Sequence, residues 1–320
     1  MTQQSASAYL AHGQIPFFRL PVAPIVARSP PPGTRAVLVG VPYDGGTTYR
    51  PGARLAPFEI RRVSALVQGF HPEHGLAVFE RLRAVDGGNV VFPPFDAGAV
   101  RAAVEAAAAA VHAAGATPFL VGGDHGISLP ALRAAARRHG PLAVVHIDAH
   151  LDTSGPETWG EAFHHGTPFR HALEEGLVAE GQLHQIGMRG PWGSAADVEL
   201  GMAHGARIHT TADIATRGIA GVAAEVRRAI GDRPTYLSFD VDAVDPAFAP
   251  GTGTPVPGGL TSREALQLVR ELAGVHLVGA DVVEVSPPFD HADVTSFLAA
   301  YLLFEALAVA ALRVPVSKDG

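Results

Sequence analysis

The chain has no cysteine among its 320 residues, but it has 16 histidines. Without cysteine there can be no disulfide bond, no thiolate zinc site and no cysteine nucleophile. Imidazole and carboxylate chemistry stay open, so any metal ion would have to be held by nitrogen and oxygen ligands. The composition therefore directs attention to histidine, aspartate and glutamate.

Runs of positive charge are lacking as well. The 24 Lys and Arg residues are outnumbered by 31 Asp and Glu residues, which gives a formal net charge of -7. No Lys/Arg-rich segment could follow a phosphate backbone, so we expect no nucleic-acid partner. The first residues lack the basic start and apolar core of a signal peptide, and a cytoplasmic location is expected.

Long apolar runs are scarce, and only the segment 297–312 could suggest a membrane span. It is shorter than the roughly 20 residues that a span needs, and Glu305 lies in its middle. The segment is therefore predicted to be a buried core helix, and no membrane partner is expected.

Short apolar segments alternate with helical patterns through most of the chain. The predicted strands are 36–41, 117–122, 142–147, 184–188, 235–241 and 277–285. The predicted helices are 56–68, 99–114, 129–139, 219–230, 262–272 and 294–312. This alternation indicates an α/β fold, a three-layer α/β/α sandwich with a mostly parallel central sheet. We expect a single domain over residues 1–320, with residues 1–35 as a peripheral N-terminal arm.

Polar side chains follow the predicted strand 142–147 at a spacing of two residues. Asp148, His150 and Asp152 would point to the same side of an extended backbone, because side chains alternate along it. Open α/β sheets bind their ligands at the carboxyl ends of the strands. The three side chains are therefore candidate metal ligands.

Two further strand ends carry the same kind of residue. Asp240 and Asp242 stand at the end of the strand 235–241, after TYLSF, and His125 follows the strand 117–122 in the segment VGGDHG. Four aspartates in one small site would repel one another, and about four positive charges are needed to balance them. Two divalent cations supply that charge, and such a pair can activate water for attack on an electrophilic carbon.

These segments resemble the diagnostic motifs of the ureohydrolase (arginase and agmatinase) family. The matching motifs are GGDH (122–125), DAHLD (148–152), HHGTPFRHA (164–172), SFDVDAVDP (238–246), PGTGTPVPGGLTSRE (250–264), EVSPPFD (284–290) and the segment 40–61. Several motifs in the right order make this resemblance specific. One departure is Gly126, where the family usually has serine.

The resemblance implies an arginase-like fold and a pair of metal ions, Mn²⁺ by preference, with Ni²⁺ or Co²⁺ also accepted. One ion would be held by His125, Asp148, Asp152 and Asp240. The other would be held by His150, Asp148, Asp240 and Asp242. The resemblance further implies a homo-oligomer, a trimer or a hexamer.

Two catalytic residues are also implied by the resemblance. Glu284 matches the carboxylate that pairs with the substrate guanidinium, a planar cation that suits forked hydrogen bonding. His165 matches the histidine that gives a proton to the leaving amine or exchanges protons with water. The neighbouring His164 is expected to be a solvent-exposed loop residue.

The implied reaction splits a guanidino compound into urea and an amine, and agmatine is the first choice of substrate. Ser154 replaces the asparagine that helps arginases bind the substrate carboxylate, and Glu157 and Glu161 would make an acidic mouth that favours an amine. Arg50 and Arg54 favour a guanidino acid as substrate, because their loop resembles that of the proclavaminate amidinohydrolase branch. The substrate could then be 4-guanidinobutyrate, 3-guanidinopropionate or a proclavaminate precursor, and free guanidine is a third choice.

Two readings from other classes stay open at this point. A zinc amide deacetylase on a related fold would use one ion, against which the duplicated carboxylates argue. An inactive paralogue serving as a subunit is the other, against which the intact set of ligands argues.

Overall fold

An eight-stranded sheet runs through the centre of the computed structural model, which describes residues 15–25 and 29–315. Its strands are β1 (Ala36–Gly40), β4 (Val85–Asn89), β5 (Thr117–Val121), β6 (Leu142–Ile147), β7 (Val178–Met188), β8 (Arg207–Thr210), β9 (Pro234–Asp240) and β10 (His276–Val283). Their order across the sheet is β4-β1-β5-β10-β9-β6-β7-β8, and the neighbours pair in parallel. A separate hairpin consists of β2 (Phe70–His71) and β3 (Leu76–Ala77).

Helices cover both faces of this sheet. They are α1 (Ala56–Ser64), α2 (Val78–Leu82), α3 (Ala97–Ala113), α4 (Ser128–His139), α5 (Pro168–Glu174), α6 (Ala195–Ala203), α7 (Thr211–Ile230), α8 (Ser262–Arg270) and α9 (Val294–Leu312). One buried core lies between the sheet and α1, α2, α7, α8 and α9, and a second lies between the opposite face and α3, α4 and α5. The predicted three-layer fold is confirmed.

The six predicted strands are present, whereas both edge strands were missed. The strand β4 has the sequence VDGGN, and its two glycines do not favour a strand on their own. The strand β8 is only four residues long. Helix α7 begins at Thr211, eight residues before the predicted start. A kink at Gly218, where φ is 71°, separates this additional part from the predicted part of the helix.

The N-terminal arm lies outside the described residues over positions 1–14 and 26–28, but its remaining part packs closely on the fold. Phe17 and Phe18 are fully buried, and Val22 pairs with Asp86 beside the sheet edge. The amide of Phe17 also donates a hydrogen bond to a carboxylate oxygen of Asp86 at 2.8 Å. This stretch is therefore part of the core, in contrast to the peripheral arm that the sequence suggested.

Helix α9 is long and apolar enough to cross a membrane, yet most of it is buried inside the fold, as predicted. Its acidic residue Glu305 is buried and accepts hydrogen bonds from Arg270 of α8, and it lies 3.0 Å from His71 of the hairpin. The buried carboxylate and its partners thus connect α9, α8 and the hairpin. The ion pair explains why a core helix carries a glutamate.

Two buried histidines make stability depend on pH. Burial lowers the pKa of His112 and of His184 to about 4, whereas an unfolded histidine titrates near pH ~6.5. The unfolded chain therefore takes up these protons first. The free energy of unfolding has its full value above about pH 6.5 and falls as the pH drops toward 4, by about 1–2 kcal/mol per residue at pH ~5.

Chemical denaturation of the metal-free protein across this pH range tests the effect. His184→Leu is expected to remove the contribution of His184 to this pH dependence without loss of a hydrogen bond. Neither ring nitrogen of His184 has a hydrogen-bond partner among the described residues. The matched control, His291→Leu, changes an exposed histidine and should leave the pH dependence unaltered. An equal pH dependence in wild type and His184→Leu would contradict this account.

Candidate active site

The register of the sheet brings the predicted ligands together. Strands β6 and β9 are neighbours, with Ile147 beside Phe239, so the next residues, Asp148 and Asp240, emerge side by side. Strand β10 borders β9 on the other side and is followed at once by Glu284. Because these strands are parallel, all three carboxylates lie at the same edge of the sheet.

His125 faces three of the predicted carboxylates. Its Nδ1 lies 3.1 Å from Asp148 Oδ2, 2.9 Å from Asp152 Oδ2 and 3.2 Å from Asp240 Oδ2. This nitrogen is buried, yet none of the described residues forms a hydrogen bond of good geometry with it. Its Nε2 is 2.8 Å from Ser238 Oγ, an arrangement that leaves Nδ1 free to act as a ligand. A divalent cation among these four side chains fits the donor set.

A second group of ligand atoms lies beside the first and shares Asp148 with it. His150 Nδ1 is 3.0 Å from Asp242 Oδ2 and 3.4 Å from Asp148 Oδ1. Among the residues that the structure describes, two groups could hold an ion: His125, His146, Asp148 and Asp152, and Asp148, His150 and Asp242. A shared carboxylate between two groups suits a pair of cations better than one.

The pKa shifts in the site show that its carboxylates carry an excess of negative charge. Burial, Asp242 and Asp148 raise the pKa of Asp240 well above its usual value. Burial acts against protonation of His150, but Asp242 and Asp148 outweigh it and raise the pKa of that imidazole to about 12. Protons thus balance carboxylates here, and bound divalent cations would displace them.

His146 was not among the metal-site residues predicted from the sequence. Its Nε2 lies 2.7 Å from Asp148 Oδ2, and its Nδ1 lies 3.2 Å from Gln185 Nε2. Held from both sides, the ring can orient the shared carboxylate. The sequence pattern could have identified this residue, because His146 precedes Asp148 by two residues and shares its face of the strand.

Asp281 of β10 was also missed. Its carboxylate accepts hydrogen bonds of 2.7 Å from the hydroxyls of Ser128, Tyr236 and Ser238, and Ser238 in turn contacts His125. This chain of contacts fixes the ring of His125. A lone charged residue in an otherwise apolar strand was the available signal, because buried charges are almost always paired.

Arg189 holds the loop that carries Asp242. Its guanidinium is buried and donates to the backbone oxygens of Asp242 at 2.6 Å, Ala243 at 3.0 Å and Val256 at 2.6 Å. Burial lowers the pKa of this guanidinium. The contacts join the loops after β7 and β9, so the position of Asp242 does not depend on β9 alone.

Glu284 and His165 form a buried pair next to the metal ligands. Glu284 Oε1 accepts a hydrogen bond from the amide of His125 at 2.8 Å and lies 2.9 Å from His165 Nδ1. Although burial acts against protonation of His165, Glu284 raises the pKa of this imidazole to about 9. Glu284 and Asp152 both have positive φ angles, 62° and 52°, and strain of this kind is concentrated at functional sites.

A cavity of about 190 Å³ opens in front of these groups. Its walls include Thr48, His150, Asp152, Ser154, Trp159, His164, His165, Trp192, Asp197 and Asp240. Ser154, a predicted substrate-binding residue, is thus one of the residues that line this cavity. The expectation for His164 was wrong, because this side chain is buried between the cavity and the loop 164–167.

Comparison with known proteins decides between the open readings. Residues 34–309 match the model of the arginase family. The chain belongs to this family. The class predicted from the sequence, a hydrolase of guanidino groups, is thereby confirmed, and the deacetylase reading is set aside.

Individual members of the arginase family are similar over almost the whole chain. Proclavaminate amidinohydrolase of Streptomyces clavuligerus is 45% identical over 90% of both chains, and its solved structure superposes with a TM-score of 0.88 at 44% identity, covering 94% of this chain and 98% of that one. Guanidinopropionase of Pseudomonas aeruginosa is 45% identical, covering 92% of this chain and 91% of its own. Agmatinase of Edwardsiella ictaluri is 43% identical, covering 87% and 88%. Agmatine as the first choice of substrate is therefore not confirmed, and the guanidino-acid alternative is better supported.

Gly126 occupies the position after His125 at which the family resemblance implies a serine. A Cβ at this position would lie 2.9 Å from Asp124 Oδ1, which here accepts a hydrogen bond from the Gly126 amide at 3.0 Å. Asp124 also accepts a hydrogen bond from the Gly46 amide at 2.7 Å. The substitution therefore affects the support of the loop that carries His125 and removes none of the predicted ligands.

Proposed function

We propose that this protein hydrolyses an ω-guanidino acid to urea and an amino acid with the help of two divalent cations. The observation that carries the proposal is the buried Nδ1 of His125, which faces three carboxylates without a hydrogen bond among the described residues. The cations would be held by His125, Asp148, His150, Asp152, Asp240 and Asp242. Mn²⁺ is the proposed metal, because oxygen and imidazole ligands suit it and cysteine is absent.

The chemistry divides between the cations and the protein. When bound, the two cations lower the pKa of water and so supply the nucleophile. Glu284 binds the substrate guanidinium through a charge-assisted hydrogen bond and holds its central carbon in place. His165 lies beside Glu284 and can hold or release a proton at its ring nitrogens.

Arg50 supports a substrate with a carboxylate. Its guanidinium lies over the rings of Tyr49 and Phe289, and none of the described acidic residues forms an ion pair with it. Its backbone oxygen and the Glu284 carboxylate flank the same small space at Gly253. Arg54, the other candidate from the sequence, is already paired with the buried Asp44. Of these two arginines, Arg50 is therefore the one without an ion-pair partner among the described residues, and we assign it to the substrate carboxylate.

His164 offers a second donor within the cavity. Its Nδ1 accepts a hydrogen bond from the Gly166 amide at 3.1 Å, so that the proton of the neutral ring is on Nε2. Burial and the neighbouring His165 lower its pKa, which keeps the ring neutral. Nε2 has no partner among the residues that the structure describes, and a substrate carboxylate could accept its proton in a hydrogen bond.

Replacing Arg50 by glutamine tests the substrate class. We expect KM for 4-guanidinobutyrate and 3-guanidinopropionate to rise about 10-fold or more, because a charge-assisted hydrogen bond is lost. Agmatine has no carboxylate and serves as the matched control, for which KM should stay the same or fall. Urea release measured with both kinds of substrate decides, and an equal effect on both would contradict a role in carboxylate binding.

Agmatine is the second candidate, and Asp197 is the observation that favours it. This residue is 4% exposed, lines the cavity, and its Oδ1 has no hydrogen-bond partner within the described part of the chain. Such an oxygen could pair with the ammonium group of agmatine. A screen of wild-type urea release across agmatine, arginine, guanidine and the guanidino acids separates the two candidates by their kcat/KM values.

A further inference from the structure

Thr48 contacts the ring nitrogen of His165 that Glu284 does not occupy. Its hydroxyl oxygen lies 2.8 Å from His165 Nε2, and its backbone amide lies 3.3 Å from the same nitrogen. On the other side of the ring, Nδ1 lies 2.9 Å from Glu284 Oε1. The imidazole is thus held at both nitrogens, and Thr48 is the partner on the side of the cavity.

The loop between β1 and α1 holds Thr48 in this place. Asp44 is buried and accepts hydrogen bonds from the Gly52 amide at 2.8 Å and from Arg54. The Gly46 carbonyl accepts a hydrogen bond from the amide of His165 at 3.1 Å. Contacts on both sides of Thr48 therefore fix the loop against the segment that carries His165.

The backbone amide of Thr48 can only donate a hydrogen bond, whereas its hydroxyl can donate or accept one. A neutral ring that donates from Nδ1 to Glu284 has an acceptor at Nε2, and both the amide and the hydroxyl of Thr48 can donate to it. When the ring is protonated, Nε2 becomes a donor and the amide can no longer be its partner. Only the hydroxyl can reverse its role, because it has both a proton and lone pairs.

We propose that Thr48 is a positioning residue for His165, whose hydroxyl stays paired with Nε2 in both protonation states of the ring. The inference rests on the proposed function, in which His165 takes up and gives out a proton during turnover. The charged and titratable groups that act on His165 are Glu284, Asp152, Asp124 and His164. Because the His165 side chain is only 11% exposed, water is a poor substitute for the Thr48 hydroxyl.

Removal of the hydroxyl should therefore disfavour the protonated ring. In Thr48→Val an Nε2 proton would be buried without a partner, at the cost of an unmade hydrogen bond. His165 should then lose its proton at a lower pH than in the wild type. The ring orientation should also become less defined, because one of its two fixed ends is lost.

Three variants test this role. Thr48→Val is expected to lower kcat about 10-fold or more with KM changed less than about 2-fold, and to move the alkaline limb of the kcat profile to lower pH. Thr48→Ser keeps the hydroxyl and should restore both properties. Thr47→Val is the matched control, because the neighbouring hydroxyl is buried without a hydrogen-bond partner among the described residues. It should behave as the wild type.

A titration of the His165 ring by NMR in the metal-free protein provides a readout that does not depend on turnover. The ring should titrate at a lower pH in Thr48→Val than in wild type and Thr48→Ser, at unchanged thermal unfolding midpoints. Wild-type kcat, pH profile and titration in Thr48→Val would overturn the proposal, as would a Thr48→Ser variant as impaired as Thr48→Val. Failure of the proposed function is distinct, because the wild type itself would then release no urea from any guanidino compound.

Discussion

Replacing Asp148 by asparagine is expected to lower kcat/KM for urea release by about three orders of magnitude or more, because the residue belongs to both groups of candidate ligands. Asparagine keeps the size of the side chain and removes its charge. Elemental analysis of the purified variant should show that both cations are lost. The amide oxygen of asparagine can still accept the hydrogen bond that the His150 amide donates to Asp148 Oδ1 at 2.6 Å, so the backbone of His150 should keep its position.

The control for this experiment is Asp232→Asn, which changes a carboxylate whose side chain is 81% exposed and pairs with Arg313 at the surface. Its metal content and activity should equal those of the wild type. An Asp148→Asn variant that keeps both metal ions and most of its activity would show that this carboxylate is not shared between two cations.

Glu284→Gln is expected to separate substrate binding from metal binding. The amide keeps an oxygen that can accept from the His125 amide, but it lacks the charge that pairs with a guanidinium. We expect kcat/KM to fall about 100-fold or more while the metal content stays unchanged. Steady-state urea release and elemental analysis of the same preparation measure the two effects together.

Glu80→Gln changes an exposed carboxylate on α2 and is the matched control, expected to behave as the wild type. If Glu284→Gln lost its metal ions together with its activity, Glu284 would be acting as a ligand. If it kept full activity, the guanidinium would have to be bound elsewhere.

The central part of the fold could be predicted from the sequence because its strands are buried on both faces and read as continuous apolar segments. The carboxyl ends of those strands then placed Asp148 and Asp240 at one edge without any knowledge of the strand order. The edge strand β4 could not be predicted in this way, because the pairing with β1 overrides the weak preference of its glycines. Helix α5 was missed as well, because it is only seven residues long.

The surroundings of the site were harder to predict than the ligands themselves. His146 and Asp281 carried local signals, namely a histidine in register with Asp148 and a charge inside an apolar strand. Thr48 carried none, because its contact with His165 joins residues 117 positions apart. The roles of Arg50 and Arg54 could not be separated either, since the ion pair of Arg54 with Asp44 appears only in the folded loop.

The central claim is that six side chains at one edge of the sheet bind two cations, and anomalous diffraction from crystals grown with Mn²⁺ tests it most directly. The account predicts two anomalous peaks on either side of Asp148, one bordered by His125 and Asp152 and the other by His150 and Asp242. A single peak, or peaks away from these residues, would contradict it.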